Sequence, residues 1–416
     1  MSNRNHHPII DEARLWRTIE ELGSIGMDAS GGVTRLSLSS SELQGRAYIK
    51  QLMREAGLDV SEDAAGNIIG RLHGERPQEA VVMTGSHIDT VIHAGRFDGA
   101  LGVLGGIEAL RAIKEHGMSH ARTLEVVCFT DEEGVRFGVG YLGSRAMAGD
   151  WKPEWLSETD AEGITLAEAM KAAGLQPEKV HSAARSGSDI HAYVELHIEQ
   201  GRVLEHHQLP VGIASALFGH RWLEISLKGQ ADHAGTTPMP LRHDALSAAA
   251  ETIMAVERIA LEHGGVATVG TLRMVPGAIN VIAGEVIFSV DLRHEDASIL
   301  DAMALKIEQA AFSHKDSRGV SATVRVTDGD EPVTASGMVM EAIEGASGIA
   351  DVGAMSMVCG AGHDAVAINA LTGIGLILIR SREGISHHPA EWSSPEDCAA
   401  GAEVLLHTLV ALANGQ

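Results

Sequence analysis

Five short stretches hold side chains suited to gripping cations. "GSHIDT" carries His87 and Asp89, "GRFDGALG" carries Asp98, and "FTDEEG" carries Asp131, Glu132 and Glu133. "HIEQG" adds His197 and Glu199, and "GISHHPAEW" adds His387, His388 and Glu391. Each alone has an ordinary reading: a polar residue at a strand end, a helix N-cap at Asp98, a loop histidine. Together they supply what two neighbouring divalent ions need. In two-metal hydrolytic sites the ions lie ~3.5–4 Å apart and hold a water between them. Three histidines, a bridging Asp and a terminal Glu would satisfy such a pair, and a spare carboxylate nearby could take the proton from the water. Ligands of this kind without thiolate suit Zn, Mn, Co or Ni, and ligand type alone does not choose among them. A metal-bound His commonly gives its second N–H to an acceptor beside it, and Asp89, two residues after His87, is placed to accept it. "TDEEG" is the odd stretch, with three adjacent like charges at the end of an apolar run. In a strand, neighbours face opposite sides. Glu132 and Glu133 can therefore share a pocket only if the chain turns after Thr130.

These residues need elements to position them. "NIIGRL" (67–72), "AVVMTGSH" (80–87) and "LEVVCFT" (124–130) read as strands, and "GALGVLGGIEALRAIKEHG" (99–117) between the last two reads as a helix. Strand, helix, strand in this order predicts a βαβ unit of a parallel sheet, after helices at 11–24 and 41–57. In open α/β sheets, sites form at the carboxyl ends of strands; "GSHIDT" and "TDEEG" fall at such ends. From about 213 the pattern changes. "HRWLEISLKG" (220–229) alternates like a half-exposed strand. A helix at 244–264, strands at 266–275 and 284–294, a helix near 297–313 and a strand at 321–329 follow. Then α/β character returns, with a helix near 337–346, strands through 355–359 and 373–380, and a last helix at 395–414. The expected fold class is α/β: a discontinuous domain with a mainly parallel central sheet, 1–212 and 331–416, carrying an inserted α+β domain, 213–330.

The whole-chain properties narrow the function. Of 416 residues, 44% are apolar and 21% charged, an ordinary balance for a soluble globular protein. Aromatics reach only 3%, so Ala, Val, Leu, Ile and Met must build the core. A net charge of -24 argues against nucleic acid and anionic membrane as partners. Cys128, Cys359 and Cys398 are far apart and form no CxxC pair, which argues against a disulfide framework or structural zinc and fits a reducing, cytoplasmic setting. The N-terminus lacks a signal-peptide pattern. The longest apolar stretch, 365–379, contains an Asn and is too short to span a membrane. "GALGVLGG" does not fit GxGxxG and "HIEQGRVLEHH" is not HExxH, so neither a dinucleotide site nor a helical zincin site is expected.

"GSHIDT…GRFDGALGVLGG", "FTDEEGVRFG", "ELHIEQG", "DHAGTTPM", "DLRHED", "GAGHDA" and "GISHHPAE" resemble the amidase, hydantoinase and carbamoylase branch of the M20 metallopeptidase family. That branch includes N-carbamoyl-L-amino acid hydrolases, β-ureidopropionases and allantoate amidohydrolases. The likeness runs from "GGVTRLSLS" (31–39) to the end; its motifs are specific for the superfamily and much less so for substrate. It implies His87, Asp98 and His197 around one metal ion, and Asp98, Glu133 and His387 around a second, with Asp98 bridging. His387 is preferred to its neighbour His388 because it aligns with the family's "SH" pair. The resemblance makes Glu132 the general base and the insert a lid through which a homodimer forms. It implies that His233, in "DHAGTTPM", stabilises the oxyanion from the partner subunit. Asn280 and Arg293 would hold the substrate's carboxylate, a task that suits the planar fork of Arg. Gln200 and His363 would contact the ureido group; His363 also reads as a structural histidine. The implied substrate is a small ureido acid, with an N-carbamoyl-L-amino acid ahead of allantoate. The reading from another class is a metal- or ureide-binding protein without catalysis.

Overall fold

The computed structural model describes residues 9–415. The chain divides into two compact units, one of residues up to Ser215 together with those from Ala335 on, the other Ala216–Thr334. In chain order the strands are β1 (Asp59–Glu62), β2 (Ile68–Leu72), β3 (Val81–His87), β4 (Leu124–Phe129), β5 (Ile190–Ile198) and β6 (Val211–Leu217). Then come β7 (Gly219–Lys228), β8 (Val266–Thr268), β9 (Leu272–Val275), β10 (Glu285–His294) and β11 (Ser321–Asp330). Finally there are β12 (Val333–Thr334), β13 (Ala354–Cys359) and β14 (Ile374–Ile379).

The first unit is built on a sheet ordered β1-β2-β4-β3-β5-β14-β6, with β13 also on β6. The four central strands, β4, β3, β5 and β14, run parallel. The flanking pairs β1–β2, β2–β4 and β14–β6 run antiparallel. The parallel character read from the sequence thus belongs to the centre of a mixed sheet. The short β12 pairs with the end of β6, where the insert leaves and returns. Strands β3, β4 and β14 are buried along their whole length. Their runs "VVMTGSH", "LEVVCF" and "IGLILI" lack alternation because central parallel strands are covered on both faces. The helices Ala100–Glu115 and Pro395–Asn414 are buried on nearly every side and pack on each other and on the sheet. Truncating a core side chain such as Leu104 or Leu405, both fully buried, removes ~2–5 kcal/mol of stability in comparable cores. A smaller core, including Leu142, Trp155, Leu166, Met170 and Val180, gathers the short helices that follow β4.

The second unit holds an antiparallel sheet ordered β11-β7-β10-β8, with β9 also on β10. Along β10, Val286, Phe288, Val290 and Leu292 are buried, while Glu285, Ile287, Ser289, Asp291 and Arg293 are half-exposed. The buried row meets the helices Ala245–His263 and Ala297–Phe312. Asp244 and Asp296 cap those helices, each accepting two backbone N–H bonds. One strand face therefore makes a core and the other stays open within the unit. Among the described residues no helix is long and apolar enough to cross a membrane.

Candidate metal centre

The four parallel strands deliver the candidate ligands from their carboxyl ends. His87 is the last residue of β3, the 130–134 turn follows β4, and His197 is one short of the end of β5. The loop after β14 carries His387, and Asp98 precedes the helix Ala100–Glu115. The arrangement is the usual one for sites in open α/β sheets.

Asp98 is the hub. Its Oδ1 lies 3.8 Å from His87 Nε2 and 3.2 Å from His197 Nε2, and its Oδ2 lies 3.1 Å from His387 Nε2. Glu133 Oε1 is 3.8 Å from His387 Nε2, and Glu132 Oε2 is 3.5 Å from His87 Nε2. Among the described residues three groups bring possible ligand atoms inside 4.8 Å of one another: His87 with Asp98 and His197, Asp98 with Glu133 and His387, and Glu195 with His197 and His363. Asp98 belongs to the first two. It is not the N-cap that its position suggests. The cap is Gly99, with φ 62°, and no side chain caps the helix. A Cβ at Gly99 would sit 2.4 Å from the His87 ring, so only glycine lets the helix start this close to that side chain.

The hydrogen bonds of the histidines set their tautomers. His87 Nδ1 lies 3.0 Å from the Asp89 carbonyl, and His197 Nδ1 lies 3.0 Å from the Ile198 carbonyl. With an N–H donated from each Nδ1, Nε2 is the nitrogen that both rings turn toward Asp98. The Asp89 carboxylate does something other than expected. It accepts the backbone N–H of Glu132 at 3.2 Å and of Glu133 at 3.1 Å, while the carbonyl of the same residue takes the His87 ring. One residue therefore joins the end of β3 to the turn after β4. Of the two neighbouring histidines, His387 reaches Asp98; His388 Nδ1 accepts the Ala390 N–H and its side chain is exposed.

The turn in "TDEEG" is real. Asp131 adopts φ 54°, and the carbonyls of Thr130, Asp131 and Glu132 accept N–H bonds from Gly143, Leu142 and Tyr141. This breaks the strand alternation and brings Glu132 beside His87 and Glu133 beside His387, the two histidines that flank Asp98. Asp131 contributes its left-handed backbone and its carbonyl, and its buried carboxyl accepts the Gly134 N–H within the same turn.

The charges fit a cation site. Burial pushes the Glu132 carboxyl well above its usual range, and Glu133, Asp364 and Asp89 add to this while His87 opposes it. Burial and the Asp98 charge lift Glu133 to about 7 against the pull of His87 and His387. Burial also works against the charge on Asp98, but hydrogen bonds from His197 and His387 hold that carboxyl well below the usual range. The hydrogen bond to Asp98 raises His387 to about 9, against burial. Without an ion, protons alone offset the crowded carboxylates, and Glu133 Oε1 has no hydrogen-bond partner among the described residues. Divalent cations would offset the same charge more strongly, and an all-imidazole and carboxylate donor set suits them.

Other expected residues take specific places. Gln200 Nε2 donates to Asp98 Oδ2 at 2.9 Å and to Ser386 Oγ at 3.0 Å, and Gln200 Oε1 has no hydrogen-bond partner among the described residues. His363 lies against His197, ring centroids 4.2 Å apart, with Nε2 3.1 Å from Cys359 Sγ. Burial, then the His197 charge, holds the His363 ring well below its usual pKa, hence neutral. Glu195 was not singled out by its sequence context. It is buried in β5 and accepts from Ser86 at 2.8 Å, Tyr193 at 3.0 Å and the Ala365 N–H at 3.1 Å, tying β3, β5 and the "GHDA" loop together. Its only sequence signal is a charge inside the apolar run "YVELHI".

His233, Asn280 and Arg293 lie in the second unit. His233 Nδ1 accepts the N–H groups of Gly235 and Thr236, so the exposed ring carries its proton on Nε2. The Asn280 carbonyl accepts the Ala234 N–H at 3.0 Å, knitting these two loops together. Arg293 pairs with Asp291 two residues before it, NH2 to Oδ2 at 3.0 Å, on the open face of the sheet.

A sequence profile of peptidase family M20/M25/M40 matches residues 83–411. An N-carbamoyl-L-amino acid amidohydrolase of Geobacillus stearothermophilus is 48% identical over 98% of this chain and all of its own length. A second N-carbamoyl-L-amino-acid amidohydrolase, from Pseudomonas sp. (strain NS671), is 40% identical over 96% of this chain and 98% of its own. The crystal structure of an amidase of the hydantoinase/carbamoylase family from Burkholderia multivorans superposes with a TM-score of 0.93 at 36% identity, covering 98% of both chains. With the profile spanning most of the chain and relatives this similar along nearly its whole length, the chain belongs to peptidase family M20/M25/M40.

Proposed function

We propose that the chain is a metal-dependent amidohydrolase that cleaves the ureido C–N bond of N-carbamoyl-L-amino acids. The observation that carries this reading is Asp98, which faces two His–carboxylate groups at once, with Glu132 beside them and needed by neither. The names and close similarity of the relatives support the substrate class. Two divalent ions per subunit are proposed, one held by His87, Asp98 and His197, the other by Asp98, Glu133 and His387. Bound there, such ions would polarise the carbamoyl oxygen and acidify a water near neutral pH.

The chain's own groups do the rest. Glu132 takes a proton from the attacking water and returns it to the leaving nitrogen. The carbon–nitrogen bond to the amino acid breaks, and the carbamate left behind falls apart to carbon dioxide and ammonia. His233, with its proton on Nε2, supplies a donor to the oxyanion in the site of the partner subunit; comparable donors are worth ~2.7–4 kcal/mol. Arg293 and Asn280 grip the substrate carboxylate. Asp291 already holds one edge of the guanidinium, which limits its rotation. Gln200 has spent its N–H groups on Asp98 and Ser386, so any hydrogen bond to a ureido N–H uses its Oε1. His363 Nε2 meets the ureido group only if it gives up Cys359.

Steady-state assays of the metal-loaded protein would decide the substrate. We expect kcat/KM to be highest for N-carbamoyl-L-amino acids, with carbamoyl amines lacking the carboxylate much poorer. Higher kcat/KM for allantoate or N-carbamoyl-β-alanine would shift the reading to those substrates, and tight binding without turnover would make the chain a ureide-binding protein. A homodimer through the insert is proposed as well, supported by Met254 and Leu261, 63% and 76% exposed on the helix Ala245–His263. Light scattering should give twice the 43.9 kDa chain mass; a monomer at micromolar concentration would contradict it. We place the protein in the cytoplasm, where the free thiols of Cys128, Cys359 and Cys398 would persist; recovery of the protein from an extracytoplasmic fraction would argue against this.

A further inference from the structure

Glu391 is buried, 3% exposed, and lies 293 residues from Asp98 in the chain, yet the two meet. Its Oε1 accepts the backbone N–H of Phe97 at 2.9 Å and of Asp98 at 3.2 Å. Its Oε2 lies 3.0 Å from Ser386 Oγ, and that hydroxyl is 3.2 Å from Asp98 Oδ2. Ser386 directly precedes His387. The carboxylate of Glu391 therefore joins the backbone that carries the hub Asp98 to the loop that carries the ligand His387.

The surroundings keep this joint in place. Gly95 gives the carboxylate room: a Cβ there would sit 2.2 Å from Glu391 Oε1. The next residue, Trp392, packs on Phe97 and Trp16, with ring centroids 5.8 and 5.1 Å away. The Trp392 carbonyl accepts the Arg382 N–H at 2.8 Å, closing the His387 loop at its base. Three aromatic rings thus fix the backbone on both sides of the carboxylate. What remains for the carboxylate is the register between Asp98 and His387, which belong to the same ion-binding group.

We propose that Glu391 is a positioning residue of the metal centre, setting Asp98 and His387 at the spacing one ion requires. It need not touch the ion or the substrate. The role depends on the hydrogen-bond pattern and not on charge. A glutamine can reproduce that pattern, with its oxygen accepting the two N–H groups and its amide donating to Ser386 Oγ. A methionine keeps the volume and loses every bond.

The inference rests on the metal-centre reading, and one titration tests the two separately. Chelator-stripped protein would be titrated calorimetrically with Co2+ or Mn2+, with circular dichroism as the check on folding. Wild type should bind. If it takes up no ion, the metal centre fails and the role of Glu391 fails with it. Glu391→Met should bind about 10–100-fold more weakly, the usual cost of losing a partner that orients metal ligands, and Glu391→Gln should stay within about threefold of wild type. Wild-type affinity in Glu391→Met, or a loss in Glu391→Gln as large as in Glu391→Met, would overturn the assignment. If Glu391→Met does not fold without metal, Ser386→Ala decides. It removes only the hydroxyl between the two carboxylates and should weaken binding at least about threefold, whereas unchanged affinity would overturn the proposal.

Discussion

Glu132→Gln is expected to retain its metal and lose turnover by about 10²–10⁴-fold, the range that a positioned general base contributes. The side chain is isosteric, so the turn it sits on should survive. That turn is held by the backbone: Asp89 accepts the Glu132 N–H, and the Glu132 carbonyl accepts from Tyr141. Neither bond uses the Glu132 carboxyl. The substitution removes the capacity to accept a proton 3.5 Å from His87 and little else. The loss should fall on kcat, with KM changed by less than about threefold, because an interaction made only in the transition state lowers kcat and kcat/KM together. Metal content by mass spectrometry and steady-state kinetics on one preparation would check both halves. Turnover like that of wild type would remove Glu132 as the base. A variant that loses metal would make it a ligand instead.

Asp98→Ala should have the other large effect, and through a different route. Asp98 belongs to both ion-binding groups, so its loss should cost both ions more than the roughly 10–100-fold that a mere outer partner costs. Activity should fall to background at any practical metal concentration. Stability gives an independent readout. An ion that binds only the folded state at 100 times its dissociation constant adds about 2.7 kcal/mol, which appears as a rise in Tm on adding metal. Wild type should show that rise and Asp98→Ala should not. A variant that still binds two ions per chain would show that Asp98 is not shared.

How far these features could be read from the sequence differs from residue to residue. The candidate ligands His87, Glu133, His197 and His387 stood out because they follow apolar runs that read as buried strands, but each alone had an ordinary reading, and it was the resemblance to family M20 that named the set with Asp98. The change of pattern at the insert was legible from the alternation of "HRWLEISLKG", which lies along β7, where from Trp222 on the buried residues alternate with more exposed ones. What escaped depends on contacts across long stretches of chain. Asp89 was expected to hold the His87 ring with its carboxylate. It holds the ring with its carbonyl and gives the carboxylate to two N–H groups more than 40 residues away, a pairing that no local pattern encodes. Asp98 looked like a helix cap because it precedes a helix, and only the positive φ of Gly99 frees its side chain for the centre. The short helices between 142 and 189 share a small core of scattered residues and show no sustained period, so they could not be delimited. Glu195 was not singled out, because two of its three hydrogen-bond donors, Ser86 and the Ala365 N–H, lie 109 and 170 residues away.

The most direct test of the central claim is ammonia release from an N-carbamoyl-L-amino acid by one protein sample in three states: as prepared, stripped by chelator, and reloaded with Mn2+, Co2+ or Zn2+. Release that disappears on stripping, returns on reloading and is accompanied by the free L-amino acid in equal amount is the predicted result. Undiminished release by fully stripped protein, or none under any metal while other C–N bonds are cleaved, would contradict it.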